Sequence, residues 1–171
     1  IGFADMLLEE IKDGKNKKYV DTILKSGKHL LSLINDLLDY SKLEAEKIEI
    51  ENIEFSFYNL MEELKNMFLV QQSQKEIGFN INYSKHPNMV LGDEYKIKQI
   101  IINFLSNAFK FTSSGSVSIN SFYDKDGYSN IEVKDTGVGM PKKSLVKIFN
   151  PFEQSDSSTT RKFGGTGLGL S

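Results

Sequence analysis

A stripe of polar side chains runs along IKQIIINFLSNAFKFT, a segment whose apolar residues have helical spacing. The stripe consists of Gln99, Asn103, Asn107 and Lys110, and residues three or four apart share one face of a helix. Asparagine is a poor helix former, so two of them in mid-helix have a cost that a solvent-exposed face would not require. An amide oxygen suits Mg²⁺ as a hard, neutral ligand, and a lysine suits phosphate as a mobile point charge. The stripe therefore indicates either a site for a metal ion and a phosphate or an ordinary solvated face.

A glycine motif, DTGVGM, follows an alternating segment that ends in a carboxylate. Asp135 can accept hydrogen bonds from an amine, while Gly137 and Gly139 let a flat ligand lie against the backbone. A plain turn is the alternative, because aspartate and glycine are common turn formers.

A second glycine motif, KFGGTGLGLS, has four glycines within six residues. Such a run can present successive backbone N–H groups to an anion, above all where a helix follows. A flexible linker is the alternative, but linkers favour serine and glycine over paired leucines. The residues expected to bind a ligand here are Gly165, Thr166, Gly167, Leu168 and Gly169.

Residues 140–163 separate the two glycine motifs, and this segment is long for a connection. We expect residues 141–163 to form a mobile lid that a ligand orders, because the serine- and threonine-rich part has little apolar surface to offset the entropy of ordering. Phe149 and Phe152 should pin one end of the lid. Arg161 and Lys162 lie at the other end, beside the glycines, where a phosphate would bind.

The elements that must position these residues begin with helices. Residues 1–11 have a short amphipathic pattern, 12–18 read as a polar loop, and about 19–46 form a long amphipathic stretch. At about 1.5 Å per residue this stretch gives a helix of roughly 40 Å, beyond the usual globular length. The pattern predicts one hairpin of a helical bundle that a second chain completes.

The pattern changes after residue 46, where alternating and helical segments follow one another. Apolar and polar residues alternate in KIEIENIEFSF, IGFNINYS, VSINSFY and SNIEVKD, which predicts strands. LMEELKNMFLVQQSQKE and residues 93–110 have helical spacing. The sequence therefore predicts an α+β protein with two domains, 1–46 and 47–171.

Composition narrows the classes of function. Among 171 residues there are 21 Lys+Arg and 23 Asp+Glu, and the formal net charge of −2 argues against a strongly basic nucleic-acid-binding protein. The absence of cysteine from the sequence excludes disulfides and thiol catalysis. No apolar run in the sequence approaches the length of a membrane span. His29 and His86 lie in no motif for phosphoacceptor chemistry, so both are expected to be ordinary structural or surface residues.

Taken in order, the motifs resemble those of the bacterial sensor histidine kinases, particularly the hybrid type. NFLSNAFKFT is similar to the N box, DTGVGM to the first glycine box, IFNPFEQ to the F box and GGTGLGLS to the second glycine box. SGKHLLSLINDLLDYSKLEAEKIEI resembles the second helix of the dimerisation and histidine-phosphotransfer hairpin as it enters the catalytic domain. The likeness extends over essentially the whole chain, and four boxes in the right order make it specific.

The resemblance implies a Bergerat-fold α/β sandwich that binds ATP and Mg²⁺. Asn107 would be the Mg²⁺ ligand. Asn103, near the metal and the phosphates, and Lys110, in contact with phosphate, would be the catalytic residues. Asp135 would bind the exocyclic amine of adenine. The glycines of the first box would shape the adenine pocket, and those of the second would surround the phosphates with backbone N–H groups.

The resemblance also implies a cytoplasmic protein-histidine kinase that forms a homodimer through the hairpin and acts on a response regulator or receiver domain. No nucleic-acid partner and no membrane contact by this segment are expected. A nucleotide-binding pseudokinase, serving as an interaction module, and a hydrolytic ATPase of the same fold are the alternatives. Related ATPases have a water-activating glutamate where this chain has Asn103, which favours transfer to an acceptor over hydrolysis.

Two departures from the family pattern concern the ends of the chain. The family's phosphoacceptor histidine lies before the segment that matches Ile1, and its catalytic domain continues past the second glycine box with a helix and further strands. We therefore expect a piece of a longer protein, without its own acceptor histidine and without the C-terminal elements of the sandwich.

Overall fold

The computed structural model describes residues 1–11, 13–45, 49–75, 77–83, 87–126 and 128–150. The chain divides into two compact units, one built mainly from Ile1–Ile48 and one from Glu49–Ile148. The described elements of the first unit are helices, whereas helices and strands alternate in the second. The predicted order, a helical region followed by an α/β region, is therefore confirmed.

The first unit contains α1 (Gly2–Glu10) and α2 (Gly14–Glu44), and α2 is 31 residues long. Asp13 caps the start of α2, because its carboxylate accepts the N–H of Lys15 at 3.1 Å. The prediction of a loop through residue 18 is therefore wrong. Lysine is a good helix former, so a capped helix continues easily through the lysine-rich segment.

α1 packs against one part of α2. Lys28 Nζ lies 3.7 Å from Asp5 Oδ1, and Leu24 of α2 is buried. Seven other large apolar side chains along α2 are about half exposed or more: Tyr19, Ile23, Leu30, Leu31, Ile34, Leu37 and Leu38. We call these seven residues the apolar stripe of α2.

The second unit alternates strands and helices. In chain order its elements are β1 (Ile53–Ser56), α3 (Phe57–Lys75), β2 (Gly78–Asn82), β3 (Met89–Gly92), α4 (Glu94–Phe111), β4 (Ser116–Tyr123), β5 (Ser129–Asp135) and α5 (Lys142–Leu145). Across the described ranges of both units, no helix is both long and apolar enough to span a bilayer.

The strands of the second unit form two sheets. In the smaller sheet β1 and β3 pair antiparallel, with Phe55 opposite Val90. In the larger sheet the order is β2–β4–β5, where β2 and β4 run parallel and β4 and β5 run antiparallel. A parallel pair needs a crossover connection, and α4 is part of the crossover between β2 and β4.

One apolar core lies between α3, α4 and the larger sheet. Phe68 of α3 stacks on Phe109 of α4 with 5.3 Å between ring centroids, and Phe79 of β2 meets Phe109 edge-on at 5.2 Å. Aromatic pairs at these distances stabilise the core beyond the area they bury. Side chains without solvent exposure complete it: Leu60, Met61, Leu64, Leu105, Val117 and Ile119. Because α4 buries one face here, its opposite face is left for the polar stripe.

Three elements of the second unit differ from the prediction. Within the described part of the alternating segment 47–57, only Ile53–Ser56 is a strand. Neither β3 nor α5 was predicted, and each has four residues. β3 forms by pairing with β1, which lies far away in the sequence, so no local pattern indicates it.

Candidate functional site

α4 begins at a cap that fixes its position. Asp93 is the N-cap residue: its Oδ1 accepts the N–H of Lys96 at 2.9 Å and its Oδ2 accepts the N–H of Glu51 at 3.2 Å. The bond from the Lys96 N–H holds the pKa of the Asp93 carboxyl below its usual range, because it favours the ionised form. The cap sets where the helix starts and therefore which residues share its outer face.

The polar stripe predicted from the sequence lies on this outer face. Asn103, Asn107 and Lys110 are half-buried, whereas Gln99 is exposed. In the part of the chain that the structure describes, neither asparagine side chain has a hydrogen-bond partner. Among the described residues, the buried side-chain polar atoms without a partner are those of Thr112 and Ser121, so both amides remain accessible to solvent and can bind a ligand.

Lys110 lies in the last turn of α4. Burial lowers the pKa of its ammonium group, because desolvation disfavours the charged form. The Nζ atom lies 5.2 Å from the centroid of the Phe111 ring. Coulomb attraction is stronger where the local dielectric is lower, so a partly desolvated ammonium is well placed to bind an anion.

Asp135 is the last residue of β5, and its side chain is exposed. Its Oδ1 accepts the N–H of Gly137 at 2.8 Å, which orients the carboxylate. Among the described residues, Oδ2 accepts no hydrogen bond. An ionised carboxylate has acceptor sites on both oxygens, so Oδ2 can accept a hydrogen bond from an amine.

Gly137 brings this loop against the end of α4. A Cβ atom at Gly137 would lie 2.5 Å from the carbonyl oxygen of Phe111, and the same oxygen accepts the N–H of Val138 at 3.4 Å. Only glycine permits such a close approach. Gly139 has a φ of +66°, a left-handed conformation that also favours glycine. The loop of Asp135 and the last turn of the polar stripe therefore lie beside each other.

Two side chains that support this arrangement were not predicted. Thr136 Oγ1 accepts the N–H of Ser116 at 2.9 Å and so joins the loop to β4. Lys75 Nζ donates to the carbonyl oxygens of Phe109 and Thr112 at the end of α4. The threonine within DTGVGM could have been noticed from the sequence, because a hydroxyl beside a turn often bonds the backbone. Lys75 ends an amphipathic helix like any surface lysine, so no pattern indicated it.

Seven predicted site residues lie outside the described part of the chain: Arg161, Lys162, Gly165, Thr166, Gly167, Leu168 and Gly169. Phe152 and His86 also lie outside it, as does the side chain of His29. Of the expected lid, the structure describes residues 141–150, where Phe149 is exposed. The roles of these residues, and the mobility of the lid, stay predictions.

The donor set of the site bears on which metal ion it can bind. Within the described ranges, no three His, Cys, Asp or Glu side chains come together as a metal site. Mg²⁺ usually takes only one or two protein ligands and completes its shell with water and substrate phosphates. A single amide oxygen at Asn107 fits that requirement.

Two family models match the chain. Residues 92–171 match the family described as histidine kinase-, DNA gyrase B-, and HSP90-like ATPase. That range includes α4 and DTGVGM, so the fold and the site define an ATP-binding domain of this class. Residues 1–46 match the His Kinase A (phospho-acceptor) domain.

Curated proteins similar to this chain are named as sensor or histidine kinases. The chain is 38% identical to the autoinducer 2 sensor kinase/phosphatase LuxQ of Vibrio vulnificus over 176 residues, which are 99% of this chain and 20% of the relative. It is 40% identical over 182 residues to hybrid signal transduction histidine kinase A of Dictyostelium discoideum, covering 100% of this chain and 8% of the relative. It is 36% identical over 177 residues to the signal transduction histidine-protein kinase BarA of Escherichia coli, covering 99% and 19%.

Solved structures agree with these relatives. Full-length ShkA in complex with AMPPNP matches with a TM-score of 0.80 and 33% identity, covering 99% of this chain and 35% of that one. The histidine kinase ThkA in complex with the response regulator TrrA matches with a TM-score of 0.64 and 26% identity, covering 90% and 45%. The chain belongs to the sensor histidine kinases, and it spans about a fifth of the length of the bacterial relatives.

Proposed function

We propose that this chain is the ATP-dependent catalytic part of a two-component sensor histidine kinase, which transfers the γ-phosphoryl group of ATP to a histidine outside these 171 residues. The observation that supports it most is the contact of Gly137 and Val138 with the Phe111 carbonyl. This contact brings a carboxylate suited to an amine and a lysine suited to a phosphate to one side of the domain. A nucleotide presents an amine at its base and phosphates at its other end.

Asp135 binds the base in this proposal. Its Oδ2 accepts a hydrogen bond from the exocyclic amine of adenine, while the bond from the Gly137 N–H keeps the carboxylate in place. Gly137 and Gly139 leave the backbone bare, so that a flat ring can lie against it. A charge-assisted hydrogen bond of this kind is stronger than one between neutral groups.

The polar stripe binds the phosphates and the metal in this proposal. Asn107 is the Mg²⁺ ligand, Asn103 lies near the metal and the phosphates, and Lys110 contacts a phosphate oxygen. Bound Mg²⁺ would neutralise part of the charge on the phosphates. Phosphoryl transfer depends mainly on positioning and on neutralising charge, and these three side chains can supply both.

The second glycine box completes the site in this proposal. Gly165, Gly167 and Gly169, with Thr166 and Leu168 between them, present backbone N–H groups to the phosphates. Arg161 and Lys162 add positive charge beside them. Support comes from the match of residues 92–171 to the ATPase family, since that range includes all seven residues.

The proposed partners follow from the first unit and the relatives. The match of residues 1–46 to the phospho-acceptor domain and the exposed apolar stripe of α2 support a homodimer. The solved complex of ThkA with TrrA supports a response regulator or receiver domain as the next acceptor. We place these reactions in the cytoplasm.

Transfer rather than hydrolysis is favoured by Asn103. An amide cannot take a proton from water as a glutamate does, so this position offers no base for hydrolysis. The γ-phosphoryl group is therefore transferred to the imidazole of the acceptor histidine, which is a better nucleophile than unactivated water.

The experiment for this proposal distinguishes the contribution of Mg²⁺ to ATP affinity from the affinity for the nucleotide alone. Asn107→Ala should reduce the gain in ATP affinity that Mg²⁺ provides far more than it reduces the affinity measured in EDTA, because Asn107 binds nucleotide through the metal. Calorimetric titration with ATP, with and without Mg²⁺, measures both. Asn66→Ala, the same change at an exposed position of α3, is the matched control and should change neither affinity. Equal losses with and without Mg²⁺ would contradict the role of Asn107.

A further inference from the structure

Lys75 is the last residue of α3, and it bonds to the end of α4. Its Nζ donates to the carbonyl oxygen of Phe109 and, at 3.2 Å, to that of Thr112. The last carbonyl groups of a helix have no partner within the helix, and a cation there also interacts favourably with the helix dipole. Lys75 therefore stabilises the last turn of α4 from a neighbouring helix.

One of the two carbonyl groups between Phe109 and Thr112 has a different partner. Phe111 accepts the N–H of Val138, which belongs to the loop of the first glycine box. The end of α4 is thus bonded on one side by α3 and on the other by the loop that contains Asp135. Residues 109–112 have their backbone positions set by both contacts.

Lys110 projects from this doubly bonded turn. Lys75 and Lys110 line one open groove of about 260 Å³ between α3 and α4, together with Gln71, Gln74, Ser106 and Phe109. Lys75 already donates to two carbonyl oxygens, so its influence on a ligand passes through the backbone of α4. Lys110 has a flexible stem, and the direction of its ammonium group depends on how firmly its own backbone is held.

We propose that Lys75 is a positioning residue for the phosphate end of the nucleotide site, because it bonds the turn from which Lys110 reaches a phosphate. This inference rests on the proposed function, in which Lys110 contacts phosphate. Lys75 does not touch the nucleotide. Removing its ammonium group frees the last turn of α4 and lowers the fraction of time that Lys110 points at the phosphate.

The test compares Lys75→Met with Lys98→Met in the full-length protein. Lys98 pairs with Glu63 and so also connects α4 to α3, but at the opposite end of α4. ATP and adenosine are titrated calorimetrically into each variant. Lys75→Met should weaken ATP binding roughly three- to tenfold, which corresponds to one lost hydrogen-bonding group, and should leave adenosine binding unchanged. Lys98→Met should leave the affinities for ATP and adenosine unchanged. Lys75→Arg, which keeps a positive charge and donor groups, should bind ATP as tightly as the parent protein.

A structural role for Lys75 alone would show a different result. Lys75→Met would then lower the thermal midpoint while the folded protein binds ATP as before, or it would weaken ATP and adenosine equally. Either outcome would overturn the positioning role.

Lys110→Met separates this inference from the proposed function. If Lys110→Met weakens ATP binding and adding Lys75→Met weakens it no further, Lys75 acts through Lys110 as inferred. If the two losses add in full, the inference is wrong while the phosphate role of Lys110 stands. If Lys110→Met leaves ATP affinity unchanged, the phosphate role of Lys110 is wrong, and the inference about Lys75 is wrong with it.

Discussion

α2 and α4 have similar apolar patterns but bury them very differently. Leu105 of α4 has no solvent exposure, whereas Leu38 of α2 is 52% exposed. The apolar face of α4 packs against α3 and a sheet of its own unit. The described partner of α2 within its unit is α1, which has only nine residues against the 31 of α2.

This difference separates two things that a helical pattern can mean. Apolar residues at helical spacing predict that a helix forms and that one of its faces is covered. They do not say whether the covering element belongs to the same unit. A long row of exposed apolar side chains is rare on a protein that works alone, so the stripe of α2 supports a second chain as its partner.

The largest effect on stability is expected in the core. Leu105→Ala should lower the free energy of unfolding by about 2–5 kcal/mol, because it removes buried contacts and leaves a cavity. Leu38→Ala is the matched control and should change the stability of the monomer by less than about 0.5 kcal/mol, as surface changes usually do. Denaturant titration at low protein concentration measures both. Similar losses for the two variants would contradict the contrast between the helices.

An intermediate effect is expected where the loop meets the end of α4. Gly137→Ala would bring a Cβ atom to 2.5 Å from the Phe111 oxygen, so the loop must move. Overpacking of this kind costs about 1–3 kcal/mol, and ATP affinity should fall as well because Asp135 moves with the loop. Gly14→Ala is the control and should leave ATP affinity unchanged, since no atom lies within 4 Å of its Cβ position and it belongs to neither glycine motif. A Gly137→Ala variant with normal ATP affinity would contradict the described approach of loop and helix.

The smallest effect on stability and the sharpest effect on assembly are expected in α2. Leu38→Lys should leave the unfolding of the monomer nearly unchanged but dissociate the homodimer, because it puts a charge into the proposed interface. Sedimentation over a range of concentrations measures the dimer. Ser32→Lys adds the same charge about half a turn away from the apolar stripe and should leave the dimer intact. An unchanged dimer in Leu38→Lys would exclude this stripe as the interface.

Local patterns predicted the four longer described helices of this protein but not the four-residue α5. The helix predicted at 93–110 is α4 (Glu94–Phe111), since its apolar spacing extends over the whole element and Asp93 is a strong capping residue. The start of α2 was missed because Asp13 and Gly14 read as a turn, although an aspartate before a lysine-rich segment is also a capping signal.

Contacts between distant residues could not be predicted in the same way. β3 exists only because it pairs with β1, and the bonds from Lys75 reach residues 34 and 37 positions away. In the candidate site, too, local patterns predicted residue types but not the contacts between distant segments. The types and spacing of Asn103, Asn107 and Lys110 indicated a ligand, but the contact between Gly137 and the Phe111 oxygen depends on how α4 and β5 pack.

The central claim is that the loop of Asp135 binds the base of ATP, and nucleotide titration of Asp135→Asn tests it most directly. The control is Asp126→Asn, the same change at an exposed position in the turn between β4 and β5. Asp135→Asn should weaken ATP binding by about 1.5–3 kcal/mol, which is the usual cost of losing a hydrogen bond to a charged group. The fold should stay intact. Asp126→Asn should bind ATP as tightly as the parent protein does. An unchanged affinity in folded Asp135→Asn would remove this residue from the site and contradict the account.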